Sequence, residues 1–65
     1  MQNKEFIEGV AIIGKYAPEE NGWDVNAEHD QLWFGSYEWV TDEKDIARLE
    51  ELGWFEDEGG WSCWA

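Results

Sequence analysis

Cysteine, proline and histidine occur once each in the 65 residues, as Cys63, Pro18 and His29, and lysine and arginine together only four times. One cysteine excludes an internal disulfide, and one histidine beside it cannot complete a Cys/His set for a structural zinc. No apolar run approaches the ~20 residues of a membrane span, and no basic, apolar leader with a cleavage site is present, so a cytoplasmic protein is expected. A free thiol fits a reducing compartment. Four basic residues against 16 Asp and Glu leave a net charge of −12. No Lys or Arg occurs between Tyr16 and Glu43, nor between Leu49 and Ala65. Such a field repels nucleic acid and anionic membranes, which excludes direct DNA or RNA binding and makes a basic protein surface the expected partner.

What the chain has in excess is aromatic. Phe, Trp and Tyr make up 17% of it, including six Trp. A single domain of this size buries only about 60% of the surface its unfolded chain exposes, so its core is marginal. Large aromatics, each burying roughly 150–250 Å², are what such a core needs. A folded, monomeric domain without a cofactor is therefore expected over 1–65, rather than a disordered acidic chain.

Residues 5–17, EFIEGVAIIGKYA, are rich in β-branched and aromatic residues, with Val10, Ile12 and Tyr16 on one face of a predicted first strand. Pro18 and Asn21-Gly22 supply turn chemistry and predict a hairpin there. In WDVNAEHD, residues 23–30, Trp23, Val25 and Ala27 alternate with Asp24, Asn26, Glu28 and Asp30, which predicts a core face and an acidic face. QLWFG re-enters the sheet after a break at His29-Asp30, and SYEWV is expected to leave through a loop that keeps Tyr37 and Trp39 available. TDEKDIARLEELG reads as the one helix, about 42–52, capped by Thr41 or Asp42, with Ile46, Leu49 and Leu52 as its apolar stripe and Gly53 in a Schellman ending. WFEDEGGWSCW then forms a hairpin turning near Glu58-Gly59-Gly60. The expected class is α+β: a small antiparallel sheet of about four or five short strands with one helix packed on a face.

Three chemistries can be tested on spacing. A calcium loop starting at Asp24 requires Gly at its sixth position and Glu at its twelfth, where the sequence has His29 and Gly35. The pattern fails, leaving a metal-dependent module built on Asp24, Glu28, His29 and Asp30 as a weaker alternative. His29-Asp30 as a general base and its orienting carboxylate lacks a nucleophile nearby in sequence, and Cys63 between Trp61 and Trp64 reads as a packed residue. The chain is read as a non-enzyme.

The acidic residues carry the stronger signal. Glu50 and Glu51 occupy the last helical turn, where the helix dipole disfavours carboxylates, and Glu56, Asp57 and Glu58 follow at once. Alternate side chains on a strand stand about 6.8 Å apart, similar to neighbouring phosphates, so Asp24, Glu28 and Asp30 can present a row of negative charge. Two candidate patches result: Asp24, Glu28 and Asp30, and Glu50, Glu51, Glu56, Asp57 and Glu58. Arg48 is expected to be neutralised locally by Asp45 and Glu51. Trp39 and Trp64 are the candidates for exposed aromatic anchors against an Arg-rich partner.

In length, charge and Trp content, and in the stretches AEHDQLWFG and LEELGWFEDE, the chain resembles the small acidic proteins of phages and mobile elements that include DNA-mimicking anti-CRISPR inhibitors, in particular those acting on type I-C systems. That resemblance implies inhibition of a CRISPR interference complex, Cascade, in the bacterial host cytoplasm by covering the surface that receives target DNA. It implies no particular site residue. A phage adaptor that docks on another host protein through acids and Trp is the other alternative.

Overall fold

A computed structural model of the chain describes residues 2–18 and 25–65. The expected hairpin at Asn21-Gly22 and the expected strand positions Trp23 and Asp24 lie outside the described residues. Those residues form two α-helices, a short 3₁₀ turn and a four-stranded antiparallel sheet. The α+β class holds, but with a second helix in place of the first expected strand.

That helix, α1 (Asn3–Gly14), is the main correction. Phe6, Gly9, Val10 and Ile13 recur at helical spacing and face inward, with Ile13 fully buried. Its first turn is closed by Glu5, whose Oε1 accepts from the Gln2 N–H at 3.2 Å. Gly9 is where the helix meets the rest of the core: the Trp54 indole lies against its Cα, and a Cβ there would overlap the ring. The Trp54 Nε1–H donates to the Glu5 carbonyl at 3.4 Å, and the Trp54 ring stacks on Phe6 at 5.8 Å.

The strands are β1 (Val25–Glu28), β2 (Gln31–Ser36), β3 (Phe55–Asp57) and β4 (Gly60–Trp64), in the order β1-β2-β4-β3. The break at His29-Asp30 is a two-residue turn with His29 at φ 55°. The β3–β4 turn has φ 52° at Glu58 and 80° at Gly59, the positive pair that a twisted hairpin selects. A bulge between Trp33 and Ser36 interrupts the β2–β4 register. Helix α2 (Glu43–Leu52) is as read: the Asp42 side chain accepts from the Lys44 N–H, and Gly53 at φ 99° ends it. There the Trp54 N–H bonds to the Leu49 carbonyl at 2.9 Å and Gly53 N–H to Glu50 carbonyl at 3.1 Å, the Schellman pair.

Ile13, Phe34, Val40, Leu49, Leu52, Trp54, Trp61 and Cys63 form the core between the helices and one face of the sheet. Two side-chain clamps join the helices. Arg48 reaches Glu8 through Nε at 2.6 Å and through Nη2 at 3.0 Å, and Asp45 Oδ2 accepts from the Tyr16 hydroxyl at 2.6 Å and Lys15 Nζ at 3.1 Å. Arg48 is thus held across the helix pair, with Glu51 a longer contact at 3.5 Å, and Asp45 serves the other clamp rather than Arg48. The 3₁₀ turn Tyr37–Trp39 replaces the expected loop and half-buries both rings, Tyr37 lying 4.6 Å from Trp61. Val25 and Ala27, expected in the core, are exposed, because β1 is the sheet edge.

Candidate partner-binding face

Pairing and the two-residue period decide which side chains share the face of the sheet turned away from the core. Phe34, Trp61 and Cys63 point into the core. Asn26, Glu28, Gln31, Trp33, Phe55, Asp57, Ser62 and Trp64 therefore point outward. Their contacts agree: the Gln31 Nε2 donates to Asp57 Oδ2 and to Ser62 Oγ, both at 2.8 Å, and the Phe55 and Trp64 rings lie 5.8 Å apart. Across the turn end of this face runs an open groove of about 660 Å³, lined by Asn26, Glu28, Trp33, Trp39, Asp57 and Glu58 among others.

Charge divides along the same layers. All four cations, Lys4, Lys15, Lys44 and Arg48, stand on α1, its C-terminal cap or α2. The three ion pairs among the described residues, Lys15–Asp45, Arg48–Glu8 and Arg48–Glu51, lie there too. The segments from Val25 to Val40 and from Phe55 to Ala65 hold Glu28, Asp30, Glu38, Glu56, Asp57 and Glu58 and no cation. The sheet side is thus the uncompensated pole of the molecule.

The structure regroups the two expected patches. Glu28 from the first joins Asp57 and Glu58 from the second on one groove, together with Trp39. Asp30 is exposed in the β1–β2 turn outside it. Glu56 is exposed and its Oε2 accepts from the Gly59 N–H at 2.8 Å, which ties it to the turn. Glu50 and Glu51 lie exposed on α2, away from the groove. Asp24 lies outside the described residues. Trp64 is exposed, as expected, at 57%. Trp39 is half-buried, its ring edge packed by Gly35. The residue that reading by charge missed is Trp33, the outward neighbour of buried Phe34; period two through QLWFG would have found it.

Titration shifts point to the clamps. The Arg48 hydrogen bond holds Glu8 below the ordinary carboxylate value, the Tyr16 hydroxyl does the same for Asp45, and Asp45 in turn raises Tyr16. Burial pushes the Cys63 thiol up, so it is a packed side chain and a poor nucleophile. His29 is exposed at the turn. Among the described residues no three His, Cys, Asp or Glu side chains are grouped to hold a metal ion, and no helix is long and apolar enough to cross a membrane. Comparison with protein-family models, curated proteins and solved structures finds no match.

Proposed function

We propose that this protein is an acidic docking module that covers a basic, nucleic-acid-binding surface of a protein complex and so keeps nucleic acid off it. The segregation of charge carries this reading. Every cation sits in the helical layer, whereas the sheet side offers carboxylates and partly exposed indoles with no cation among them. A merely solubilising charge excess would not require such a division, and a field of one sign steers association with a basic partner. The preferred target is a CRISPR interference complex of type I-C, on the likeness of length, charge and Trp content to DNA-mimicking inhibitors. The docking face includes Glu28, Asp57, Glu58, Trp33 and Trp39, with Asp30 and Trp64 at its margins.

A DNA-binding competition assay with purified type I-C Cascade tests it. Added protein should lower DNA occupancy in proportion to its concentration, and less so as salt is raised. A parent protein that leaves DNA binding unchanged at every concentration removes this target.

A further inference from the structure

The groove on the outward sheet face has an aromatic floor and a carboxylate rim. Trp33 is half-buried over Gly60, its Cδ1 3.7 Å from where a Cβ on that glycine would stand. Asn26 is its direct cross-strand partner on one side, and Asp57 pairs with Gly60 on the other. Glu28 and Glu58 also line the groove, and Trp39, packed against the core beside Gly35, borders it. Asp57 is oriented by Gln31, itself anchored on Ser62. Among the described residues neither the Glu28 nor the Glu58 side chain has a hydrogen-bond or ion-pair partner, and no cation lines the groove.

We propose that this groove receives an arginine side chain presented by the partner's basic surface. The inference rests on the docking reading above and gives that surface its anchor. A guanidinium is planar, weakly hydrated and always charged, so it can lie flat on the Trp33 indole while its edge N–H groups turn to the carboxylates that line the groove. An ammonium is compact and strongly hydrated; it would share the charge attraction and forgo the stacking. A purely apolar side chain would leave the rim carboxylates facing it, and a second copy of this chain would bring another charge of −12.

Heteronuclear NMR of the tryptophan indole N–H groups reads the site directly, with blocked tripeptides Gly-Arg-Gly, Gly-Lys-Gly and Gly-citrulline-Gly as probes. The arginine peptide should shift the Trp33 resonance saturably, with a dissociation constant on the order of 1 mM, and the lysine peptide should bind about fivefold more weakly. The uncharged citrulline peptide should leave Trp33 unmoved. Glu28→Gln/Glu58→Gln changes two exposed residues, and with the dispersion of the spectrum showing the fold intact it should weaken the arginine peptide about fivefold. Glu50→Gln/Glu51→Gln on α2 should leave it unchanged. Equal binding of the arginine and lysine peptides, shifts centred on another indole, or undiminished binding by the Glu28/Glu58 variant would each overturn the inference. The same variants in the Cascade competition keep the two readings apart. If the parent competes and the Glu28→Gln/Glu58→Gln variant competes equally, the groove fails and the docking reading stands; if the arginine peptide is held at Trp33 and the parent does not compete, the Cascade target fails and the groove stands.

Discussion

Replacing Gly9 by alanine sets two physical effects against each other, and the structure decides between them. At an ordinary mid-helix site the change stabilises by ~1 kcal/mol, since glycine is the poorer helix former. At Gly9 the new methyl would enter the Trp54 indole, whose Cδ1 would stand only 2.8 Å from it and whose nearer ring atoms would overlap it. Trp54 cannot swing aside easily: it is 1% exposed, stacked on Phe6 and hydrogen-bonded to the Glu5 carbonyl. Overpacking of this kind costs ~1–3 kcal/mol, and disturbing the indole hydrogen bond adds about 1 kcal/mol. After the propensity gain is subtracted, Gly9→Ala should destabilise by about 1–3 kcal/mol, or about 5–20 °C in Tm for a domain of this size. Thermal melts by circular dichroism and urea titration by tryptophan fluorescence, at one salt concentration, measure this. Ala11→Gly on the exposed side of α1 is the control, expected to cost ~1 kcal/mol through propensity alone. A Gly9→Ala protein that melts at or above the parent temperature would refute the packing account of α1.

Raising salt from about 0.01 M to about 0.1 M shortens the Debye length from ~30 Å to ~10 Å and should raise Tm, because repulsion within the −12 charge is screened; a flat or falling Tm contradicts this. Glu8 is held below its ordinary value of 4.5, chiefly by the Arg48 hydrogen bond, so the clamp's contribution is complete above that value and lost as pH falls through the lower folded-state one. The Tm difference between the parent and Arg48→Gln should accordingly be full at neutral pH and shrink in acid; a difference that grows in acid shows the sign is wrong. Tyr16 is raised above 10.0 by its bond to Asp45, so its contribution is complete below that pH and lost as pH rises through the raised value, a loss that Tyr16→Phe should not show. Cys63, fully buried, should react with a thiol reagent only at the rate of unfolding, and rapid labelling of the native protein would place it elsewhere.

Where signals are local, the sequence was readable. The cap at Asp42, the stripe through Leu49 and Leu52 and the stop at Gly53 specify α2 within one stretch, and Glu58-Gly59 and His29-Asp30 mark their turns in the same way. Helix α1 was not readable because its β-branched and aromatic residues satisfy either period, and the deciding contact joins Gly9 to Trp54, far along the chain. Alternation in Val25–Glu28 showed that the two faces differ, but an edge strand beyond the reach of the helices exposes both. Arg48 had carboxylates within reach on its own helix, and only the packing of α1 on α2 supplies the closer Glu8. The acidic residues were visible as residues and not as a site, since Glu28 and Asp57 stand on opposite edge strands and only the folded sheet brings them, with Glu58, to line one groove.

The claim that docking belongs to the sheet side is tested most directly by reversing equal charge on the two layers. Association rates with type I-C Cascade, measured at low and high salt, can be compared for Glu28→Lys/Glu58→Lys and Glu50→Lys/Glu51→Lys, each first shown to be folded. Both variants change the net charge equally, so a general field effect slows them alike. A docking face on the sheet predicts that the Glu28/Glu58 variant associates at least about tenfold more slowly than the Glu50/Glu51 variant at low salt, with the gap narrowing as salt is raised. Equal slowing of the two, or the larger loss on the helical side, would contradict it.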